Sequence, residues 1–542
     1  MATNKKAVKP KISYWDKRAA ERMKTYDKAG DAAVGTIYAA YKRAIAQIDR
    51  DAQRIFATFG REHGMNSTEA MAYLKGAISP AEAKALKDKA LRLLEATDYS
   101  DEAVELLARV NAPAYAARIS RLEALKADIQ LEMAQVADVQ LASTRGALTE
   151  IAEHAYWRTS FDMQKGTHIY WNVAGLPTKA VKEILTRKWS GENYSKRIWQ
   201  NNSQIADTIQ TALVECFTQG RASAETFADV KALVNKATNK TAAQATMAAN
   251  RLIRTEANYV AGQSEQIAYE DAGFDRYQYV ATLDMHTSSV CAELDGKVFP
   301  ISEQQVGVNM HPMHPWCRST TRPFIEGRDM SRLKRWSRDA EGKVQYVPGN
   351  MTYKQWREQQ GAGFDNLKTM MTNEAPDQAQ YQRHSKVLGN TPATESFESF
   401  QKMKYAGDDS YKLIKLDYER KNELQHWPEK GLPSAGTATA ADDKFAQYLF
   451  NPENPHGYAK GIAFTERLGY NKDNWTEMRD EIYSACRQSP ARMKGADVYG
   501  TSYEQYVVLY GKNNRPMNVK IGWKSKDGKT WLTTAMPQEV KK

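Results

Sequence analysis

The residue types best suited to side-chain chemistry concentrate between Tyr279 and Phe324. This stretch holds two of the chain's four cysteines, Cys291 and Cys317, and three of its nine histidines. It also contains four prolines, whereas the tracts before it are rich in Ala, Lys and Glu. Thiolate sulfur and imidazole nitrogen are common zinc ligands. The composition therefore indicates that side-chain chemistry, more than helix packing, sets the local structure here.

Three of these side chains recur at intervals of three residues: His311, His314 and Cys317. Prolines at 312 and 315 exclude a regular helix and favour an extended, polyproline-like backbone. Such a backbone has three residues per turn. We therefore expect the three side chains to share one face, where Cys291 would complete a Cys-His-His-Cys zinc set.

Three interpretations of this stretch stay open. In the first, which the sequence favours, the segment is a compact structural cluster with buried thiols, and His314 hydrogen-bonds to backbone or to Asp284. In the second, Cys291, His314 and Cys317 hold a structural zinc ion, with His311 as a weaker candidate. In the third, a cysteine and a histidine form a nucleophile pair, although nothing upstream supplies an oxyanion loop.

Alternating and helical patterns predict the elements around these residues. Residues 277–282 alternate and predict a strand, and Cys291 falls on the short helix that follows. Residues 178–273 predict helices, closed by Gly273. Residues 114–157 form the longest helical tract. Its apolar positions recur every 3.5 residues or so, which is typical of a coiled-coil-like arm or a bundle helix; they are Ile119, Leu122, Leu125, Ile129, Met133 and Val136.

An aromatic group follows this tract: Trp157, Phe161, Tyr170 and Trp171. The favoured interpretation is an aromatic core that closes the helical bundle. The alternative is a platform on which nucleic-acid bases stack.

Length and composition restrict the class of protein. A chain of 542 residues is too long for one ordinary core, so we expect several domains. The net charge of +11 favours contact with phosphates or an acidic surface. Four cysteines make no disulfide framework and are typical of a reducing cytoplasm. We expect no signal peptide and no membrane-spanning helix.

A longer pattern covers residues 200–325. It combines an Arg-Thr-Glu triplet on a helix, acidic residues beside the first cysteine, and a Pro-x-His-Pro run before the second. The residues are Arg254, Thr255, Glu256, Asp284, Thr287, Cys291, Leu294, Asp295, Gly296, Asn309, Pro312, His314, Pro315, Cys317, Arg318 and Pro323. In order and spacing they resemble the phage Mu F-type head morphogenesis domain of tailed-phage minor head (minor capsid) proteins.

The resemblance extends upstream and has two departures. The opening Tyr14-Trp15-Asp16-Lys17-Arg18 is similar to the usual partner region of these proteins. Where the family more often has proline, this chain has His311, which weakens His311 as a shared ligand. Where the family often has a second cysteine after Cys-Arg, this chain has Ser319, which removes one candidate ligand.

The resemblance implies a virion protein inside the phage head, made in the host cytoplasm before assembly. It implies contact with the portal protein and with major capsid or scaffold proteins. It also implies a role in head assembly, DNA packaging or ejection, beside non-specifically bound double-stranded phage DNA.

The C-terminal hundred residues predict a small α+β domain. Helices are expected near 445–449, 457–469 and 474–487, and strands near 496–501, 504–510, 517–523 and 530–535. Asn451–Gly457 and the final strand resemble an uncharacterised module at the ends of phage head proteins and toxin-like proteins. The layout also suits a small metal-independent ribonuclease, whose base, acid and cation would come from His456, Lys460, Thr533 and Thr534. The favoured interpretation is a domain that only binds.

Together these patterns predict a multidomain fold: a mainly α N-terminal half, an α+β head-morphogenesis domain and a small α+β C-terminal domain. The expected boundaries are 1–175, 176–330, a polar helical tail and linker over 331–435, and 436–542. The leading hypothesis is a minor head protein that is not an enzyme. The runner-up is a phage-delivered toxin with a C-terminal ribonuclease domain.

Overall fold

The computed structural model divides the chain into two compact units, residues 1–361 and 362–542. Helices dominate the N-terminal half, and small antiparallel sheets join the helices later on, which confirms the predicted fold class. The finer division into four domains stays a prediction. The structure describes residues 14–63, 74–96, 120–218, 227–331, 333–339, 341–361, 363–513 and 515–539.

Long helices form the bulk of the first unit. They are α1 (Tyr14–His63), α2 (Pro80–Ala96), α3 (Arg121–Thr167), α4 (Thr178–Thr186), α5 (Tyr194–Thr218) and α6 (Phe227–Asp271). Helices α1, α3, α5 and α6 pack together around buried aliphatic side chains. Helix α3 begins with a capping box in which the Ser120 and Glu123 side chains bind each other's backbone N–H groups.

The apolar stripe of α3 belongs to this bundle and not to a free arm. Leu125, Ile129, Met133 and Val136 are all buried against neighbouring helices. Ile119 lies outside the described residues. An apolar stripe of this width gains most of its stability from burial against other helices, so the tract is a bundle helix.

A buried charge network joins three of these helices. The Arg22 guanidinium donates to Asp162 at 2.9 Å and to Glu265 at 3.0 Å, and Tyr26 Oη donates to Glu265 at 3.0 Å. Arg22 and Tyr26 lie on α1, Asp162 on α3 and Glu265 on α6. Since a buried charge without a partner is costly, this network sets how the helices align.

The aromatic group at the end of α3 does not form the predicted core. Trp157, Phe161 and Tyr170 are exposed, by 50%, 48% and 72% respectively, whereas Trp171 is partly buried. That interpretation is therefore wrong for three of the four residues. The reason is helical spacing: Tyr156, Ser160 and Met163 occupy the inward face of α3, and residues 157 and 161 lie on the opposite face.

A three-stranded sheet of order β2-β1-β3 follows α6. Strand β1 (Arg276–Val280) pairs antiparallel with β2 (Val298–Pro300) and with β3 (Thr320–Pro323). The short helix α7 (Ser289–Leu294) lies between β1 and β2 in the sequence, as predicted.

Residues 334–358 contain structure that the sequence analysis did not anticipate. Strands β4 (Lys334–Arg338) and β5 (Val344–Pro348) form an antiparallel hairpin, followed by helix α8 (Tyr353–Glu358). The prediction of a polar tail there is corrected by this hairpin. Its strands carry many charged and polar residues because most of their outward positions face solvent.

The second unit combines helices with a four-stranded antiparallel sheet of order β6-β7-β8-β9. Its helices are α9 (Phe364–Thr372), α10 (Glu374–Leu388), α11 (Phe397–Lys404), α12 (Ser410–His426), α13 (Pro455–Leu468) and α14 (Trp475–Cys486), with a π-helical turn at Lys444–Leu449. Its strands are β6 (Ala491–Asp497), β7 (Gly500–Leu509), β8 (Met517–Lys526) and β9 (Lys529–Pro537).

The predicted strand 496–501 is wrong, because a tight turn interrupts it. The Asp497 carboxylate accepts the backbone N–H of Tyr499 at 2.8 Å, and Gly500 has a φ of +122°. A side chain at Gly500 would also meet the Ser525 carbonyl at 2.6 Å. An aspartate-led turn followed by such a glycine ends β6 and begins β7.

The end of the predicted tail and linker, together with the residues up to 440, packs against the C-terminal sheet. Thr439 exchanges backbone hydrogen bonds with Thr530 and Leu532 of β9. Leu432 is buried in the same core as Phe464, Ile482 and Ile521. In the first and second units alike, no helix within the described ranges is long and apolar enough to cross a membrane.

Helix α6 passes so close to the segment before β3 that only glycine fits at position 262. A Cβ atom there would lie 2.6 Å from His311 Cε1, and His311 is buried. We expect Gly262→Ala to destabilise the protein by about 1–3 kcal/mol through overpacking, measured by thermal unfolding.

Gly146→Ala is the matched control, since Gly146 also lies inside a long helix but has open space around its Cα. There alanine should stabilise by about 0.5–1 kcal/mol, because it restricts the unfolded chain more than glycine does. Equal shifts for both variants would contradict the close packing of α6 on His311.

Candidate metal centre and the neighbouring cleft

Two cysteines and one histidine meet beside the three-stranded sheet. Cys291 Sγ lies 3.7 Å from Cys317 Sγ and 3.3 Å from His314 Nε2. The ligand atoms of all three residues lie within 4.8 Å of one another. Two sulfurs bound to one tetrahedral zinc ion at about 2.3 Å would lie about 3.8 Å apart. The cluster therefore has the dimensions of a zinc-binding donor set.

Two local features position the three ligands: a helix cap for Cys291, and a turn for His314 and Cys317. Ser288 caps α7, and its Oγ accepts the backbone N–H of Cys291 at 3.3 Å. A hydrogen bond from the Cys317 N–H to the His314 carbonyl, at 3.1 Å, closes a turn that brings those two residues together. Cys291 is thereby in contact with two residues that follow it by 23 and 26 positions in the sequence, His314 and Cys317.

The imidazole of His314 is oriented by a backbone carbonyl. Its Nδ1–H donates to the Pro315 carbonyl at 2.8 Å, which leaves the Nε2 lone pair facing Cys291 and the Ser288 hydroxyl. In metal sites the hydrogen bond on the non-ligating nitrogen fixes the tautomer in this way.

The two thiols share one negative charge unequally. The hydrogen bond from Cys317 lowers the pKa of Cys291 to about 4 against the opposing effect of burial, and hydroxyl donors including Ser288 and Ser319 add to the lowering. The same contact and burial raise the pKa of Cys317. Cys291 is therefore the thiolate of the pair, which is the form that binds metals.

His311 is separate from this cluster, so the expectation that it shares a face with His314 and Cys317 is wrong. Its Nδ1 lies 2.5 Å from Asn258 Oδ1 on α6. Burial lowers the pKa of His311 to about 3, so the ring is neutral at physiological pH. The His311 ring instead packs against α6, where it contacts Asn258 and lies close to the backbone at Gly262.

Two buried carboxylates secure the loops around the cluster. Asp284 receives both terminal nitrogens of Arg318, at 2.5 and 2.8 Å. Although burial opposes it, this pairing holds the pKa of Asp284 below its ordinary value. Asp295 receives Arg335 of β4 and the backbone N–H groups of Ala281 and Tyr353. Gly296 follows in a left-handed turn with a φ of +83°.

Arg254 and Glu256, from the Arg-Thr-Glu triplet on α6, contact different partners. Arg254 of α6 pairs with Asp27 and Asp31 of α1. Glu256 accepts hydrogen bonds from Trp189 Nε1 at 3.0 Å and from Arg197 at 3.3 Å. Burial raises the pKa of Glu256, which those two donors oppose. These residues therefore connect α6 to the other helices and do not approach the thiols.

A cleft of about 820 Å³ borders the cluster. His314, Cys317 and Arg318 line one side of it, and Met23 of α1 and Trp336 of β4 line others. Trp316 lies at its edge, 45% exposed, with its backbone N–H held by Thr255 Oγ at 3.2 Å. A volume of this size is typical of small-molecule or peptide sites.

The residues suggested for a C-terminal active site fall in two places. Thr533 and Thr534 line a cavity of about 400 Å³ with Lys444 and Tyr448. Lys460 donates to the Tyr448 hydroxyl at 3.2 Å. His456 is exposed in the first turn of α13 and does not line that cavity. A catalytic role for these residues stays a prediction.

Sequence reasoning missed two residues that build the site, Asn258 and Arg335. Neither carries a motif on its own, and each acts through a partner distant in sequence. Ser288, by contrast, carries the signal of a helix N-cap, a serine directly before a short helix. Arg335 had none, because its strand was not predicted.

Two parts of the chain match known sequence families. Residues 207–322 match the family described as "Phage Mu protein F like protein". This match supports a protein related to phage heads. Residues 431–539 match a domain of unknown function, DUF6883.

One curated relative also matches, at 22% identity over 199 residues: NAD(+)--arginine ADP-ribosyltransferase EFV of Enterococcus faecalis (strain ATCC 700802 / V583). The match covers 34% of this chain and 39% of that protein, so the chain spans about two-fifths of the relative's length. The relative's name hints at enzymatic activity, but a ribonuclease has no support from it. No solved structure matches the chain.

Removing the Asp295 carboxylate should destabilise the first unit severely. Asp295→Ala leaves the buried Arg335 guanidinium without its charge partner, which we expect to cost about 3–5 kcal/mol. Asp275→Ala is the control, because Asp275 is a highly exposed member of a surface pair with Arg276. It should change stability by less than about 1 kcal/mol.

A double variant separates charge from packing. In Asp295→Ala/Arg335→Met the unpaired charge is gone, so chemical denaturation should show a stability above that of the single variant. A double variant as unstable as the two single losses added together would contradict this account.

Proposed function

We propose that the protein is a minor head protein of a tailed phage, bound to the portal inside the head. The observation that carries the proposal is the family match over residues 207–322, which coincides with α5, α6, the three-stranded sheet and the Cys-His-Cys cluster. In this role it assists head assembly, DNA packaging or ejection. Its partners are the portal protein, the major capsid or scaffold proteins, and double-stranded phage DNA.

The exposed aromatic face at the end of α3 is the surface we assign to the portal contact. It comprises Trp157, Phe161, Ile169 and Tyr170, each about half exposed or more. Large aromatic side chains are enriched in the cores of protein interfaces and among the residues that dominate binding energy. Trp157 and Phe161 lie one helical turn apart on the same side of α3, and exposed apolar side chains grouped in this way mark interaction sites.

Two rings of this face contact neighbouring groups. The Trp157 ring lies against the backbone at Gly175, 3.2 Å from where a Cβ would be. The Arg158 guanidinium and the Lys165 ammonium lie 5.4 and 5.6 Å from the Phe161 ring centroid. Side chains that are already packed lose less entropy in a complex, and the Lys165 ammonium favours an acidic rim on the partner.

Trp157→Ala/Phe161→Ala should abolish co-purification with the portal protein of the same phage. Loss of two interface aromatics is expected to cost about 2 kcal/mol or more, measured by titration of purified portal with the full chain. Tyr38→Ala/Met247→Ala is the control, since those side chains are equally exposed in the same unit. Wild-type affinity in the aromatic variant would sink the assignment, as would an equal loss in the control.

We further propose that Cys291, His314 and Cys317 hold a structural zinc ion. The donor types and their spacing fit zinc, and the Cys291 thiolate is the form of cysteine that binds it. Zinc would fix α7 to the segment before β3. Ser319, whose hydroxyl contacts Cys291, stands where the related proteins often have a further cysteine.

Elemental analysis should find one zinc ion per full-length chain. Cys291→Ser, His314→Ala and Cys317→Ser should each lose it and lower the unfolding temperature, because metal-binding energy is folding energy. His311→Gln and Cys486→Ser are controls that should keep it. Ser319→Cys should bind zinc more tightly by adding a thiolate. A wild-type protein purified without chelator that holds far less than one zinc would remove this proposal.

A further inference from the structure

The C-terminal sheet is covered on one face and on only part of the other. Its inner face, including Val507, Ile521 and Trp523, packs in one core with α13 and α14. At the Leu509 end of β7 the outer face is also covered, since Val508 and Tyr510 pack with residues of α10, α11 and α12. Toward the Gly500 end the cover stops, and every residue of β6 after Ala491 is exposed.

The uncovered part of the outer face is strongly basic. Residues 491–506 and 520–536 carry six Lys or Arg side chains and three Asp or Glu side chains, a surplus of three positive charges. We name the five of these cations that lie on β6 and β8 the open basic face: Arg492, Lys494, Lys520, Lys524 and Lys526. The surplus is local, because the rest of the second unit carries 20 Lys or Arg and 20 Asp or Glu residues.

Alternation along the strands places these cations together. Lys520 and Lys524 alternate on β8 with the buried Ile521 and Trp523, so both project outward. They are four positions apart, or roughly 14 Å along the strand. Between them lies Gly522, opposite Glu504 in the pairing register. The Thr533 and Thr534 side chains of β9 fill the space that a Cβ at 522 would occupy, so hydroxyl groups lie between the two lysines.

The acidic residues of this face leave most of its charge unneutralised. Glu504 lies 2.5 Å from Lys520 and 4.0 Å from Lys494, and Arg492 lies opposite it in the register. The hydrogen bond from Lys520 lowers the pKa of Glu504, so the carboxylate is ionised. One carboxylate therefore serves three cations. Lys524 pairs with Asp497 at 2.7 Å.

An exposed aromatic ring adjoins the cations. Tyr499, at the tip of the β6–β7 hairpin, is 72% exposed, and the Lys524 ammonium lies 5.5 Å from its ring centroid. Val498 beside it is 78% exposed. Rows of cations with an exposed aromatic ring are the features with which proteins bind a phosphate backbone and stack a base.

We propose that the open basic face binds the phosphodiester backbone of nucleic acid. Phosphates repeat along a strand, and the cations on β6 and β8 offer several contacts over a span longer than one small anion. The proposal identifies the surface through which the protein would contact DNA in its proposed function. It rests on the proposed function only for the identity of the nucleic acid. It does not involve the aromatic face or the Cys-His-Cys cluster.

The test compares two doubly substituted full-length chains. Lys520→Gln/Lys524→Gln removes two cations from the open basic face. Lys472→Gln/Lys512→Gln removes two exposed lysines elsewhere in the second unit, and Lys512, like Lys520, leaves a surface carboxylate partner behind. Fluorescence anisotropy with labelled duplex DNA and with labelled single-stranded RNA is measured across a series of salt concentrations.

The expected readout is the dependence of the binding constant on salt. Loss of two phosphate contacts should reduce the slope of log K against log salt by about 1.8 for duplex DNA or about 1.4 for a single strand. The control should keep the wild-type slope. Tyr499→Ala should weaken binding of single-stranded RNA more than binding of duplex DNA if bases stack there.

Three outcomes would overturn the proposal: a wild-type chain that binds neither nucleic acid, equal slopes for the two double variants, or competition by poly-glutamate as effective as competition by unlabelled DNA. The last result would indicate an acidic protein as the partner. Because the open basic face is absent from the portal assignment, Lys520→Gln/Lys524→Gln should still bind the portal protein, and Trp157→Ala/Phe161→Ala should still bind nucleic acid. The two proposals can therefore fail separately.

Discussion

The arrangement of the first unit after α6 depends on one buried ion pair, Asp295 with Arg335. The carboxylate sits at the end of α7, and it accepts hydrogen bonds from Arg335 at 3.0 and 3.2 Å and from backbone N–H groups after β1 and at the start of α8. Arg335 also donates to the carbonyls of Ala281 and Met351. A buried charge is tolerated when every lone pair and proton has a partner. Four chain segments are therefore fixed relative to one another by two side chains.

This pair explains how a short helix can hold a reactive-looking cysteine in place. Helix α7 has six residues, too few to be stable alone. Its N-terminus is capped by Ser288 and its C-terminus is followed by Asp295, so both ends are restrained. Cys291 lies between them. Cys291 is thus held in place for its contacts with His314 and Cys317, which come from a separate turn.

Prediction from the sequence succeeded for elements whose structure is determined by neighbouring residues. The strand at 277–282 and the short helix bearing Cys291 follow from alternation and helix-capping residues, and the structure has both of them. Prediction failed where the position of a residue depends on partners that are distant in the sequence. The β4–β5 hairpin carries few apolar residues, so no alternating pattern predicted its strands. His311 was assigned to the cluster from its spacing, although its position is set by its contact with Asn258 on α6. The exposed side of α3 was misjudged because aromatic residues were assumed to seek the core.

The geometry also bears on whether the cluster acts on a substrate. A nucleophilic cysteine needs a partly exposed thiolate beside a base that can exchange protons with a substrate. Here the thiolate is buried, and its lone pairs face Cys317, Tyr279 Oη and His314. Burial raises the pKa of Tyr279, so its hydroxyl stays protonated and donates to the sulfur. Hydrogen bonds from the Tyr279 hydroxyl and the Cys317 thiol stabilise the charge where it is and lower its reactivity. His314 and Trp316 line the cleft beside the cluster, and Cys291 does not. A molecule in the cleft would therefore contact the imidazole and the indole rather than the charged sulfur.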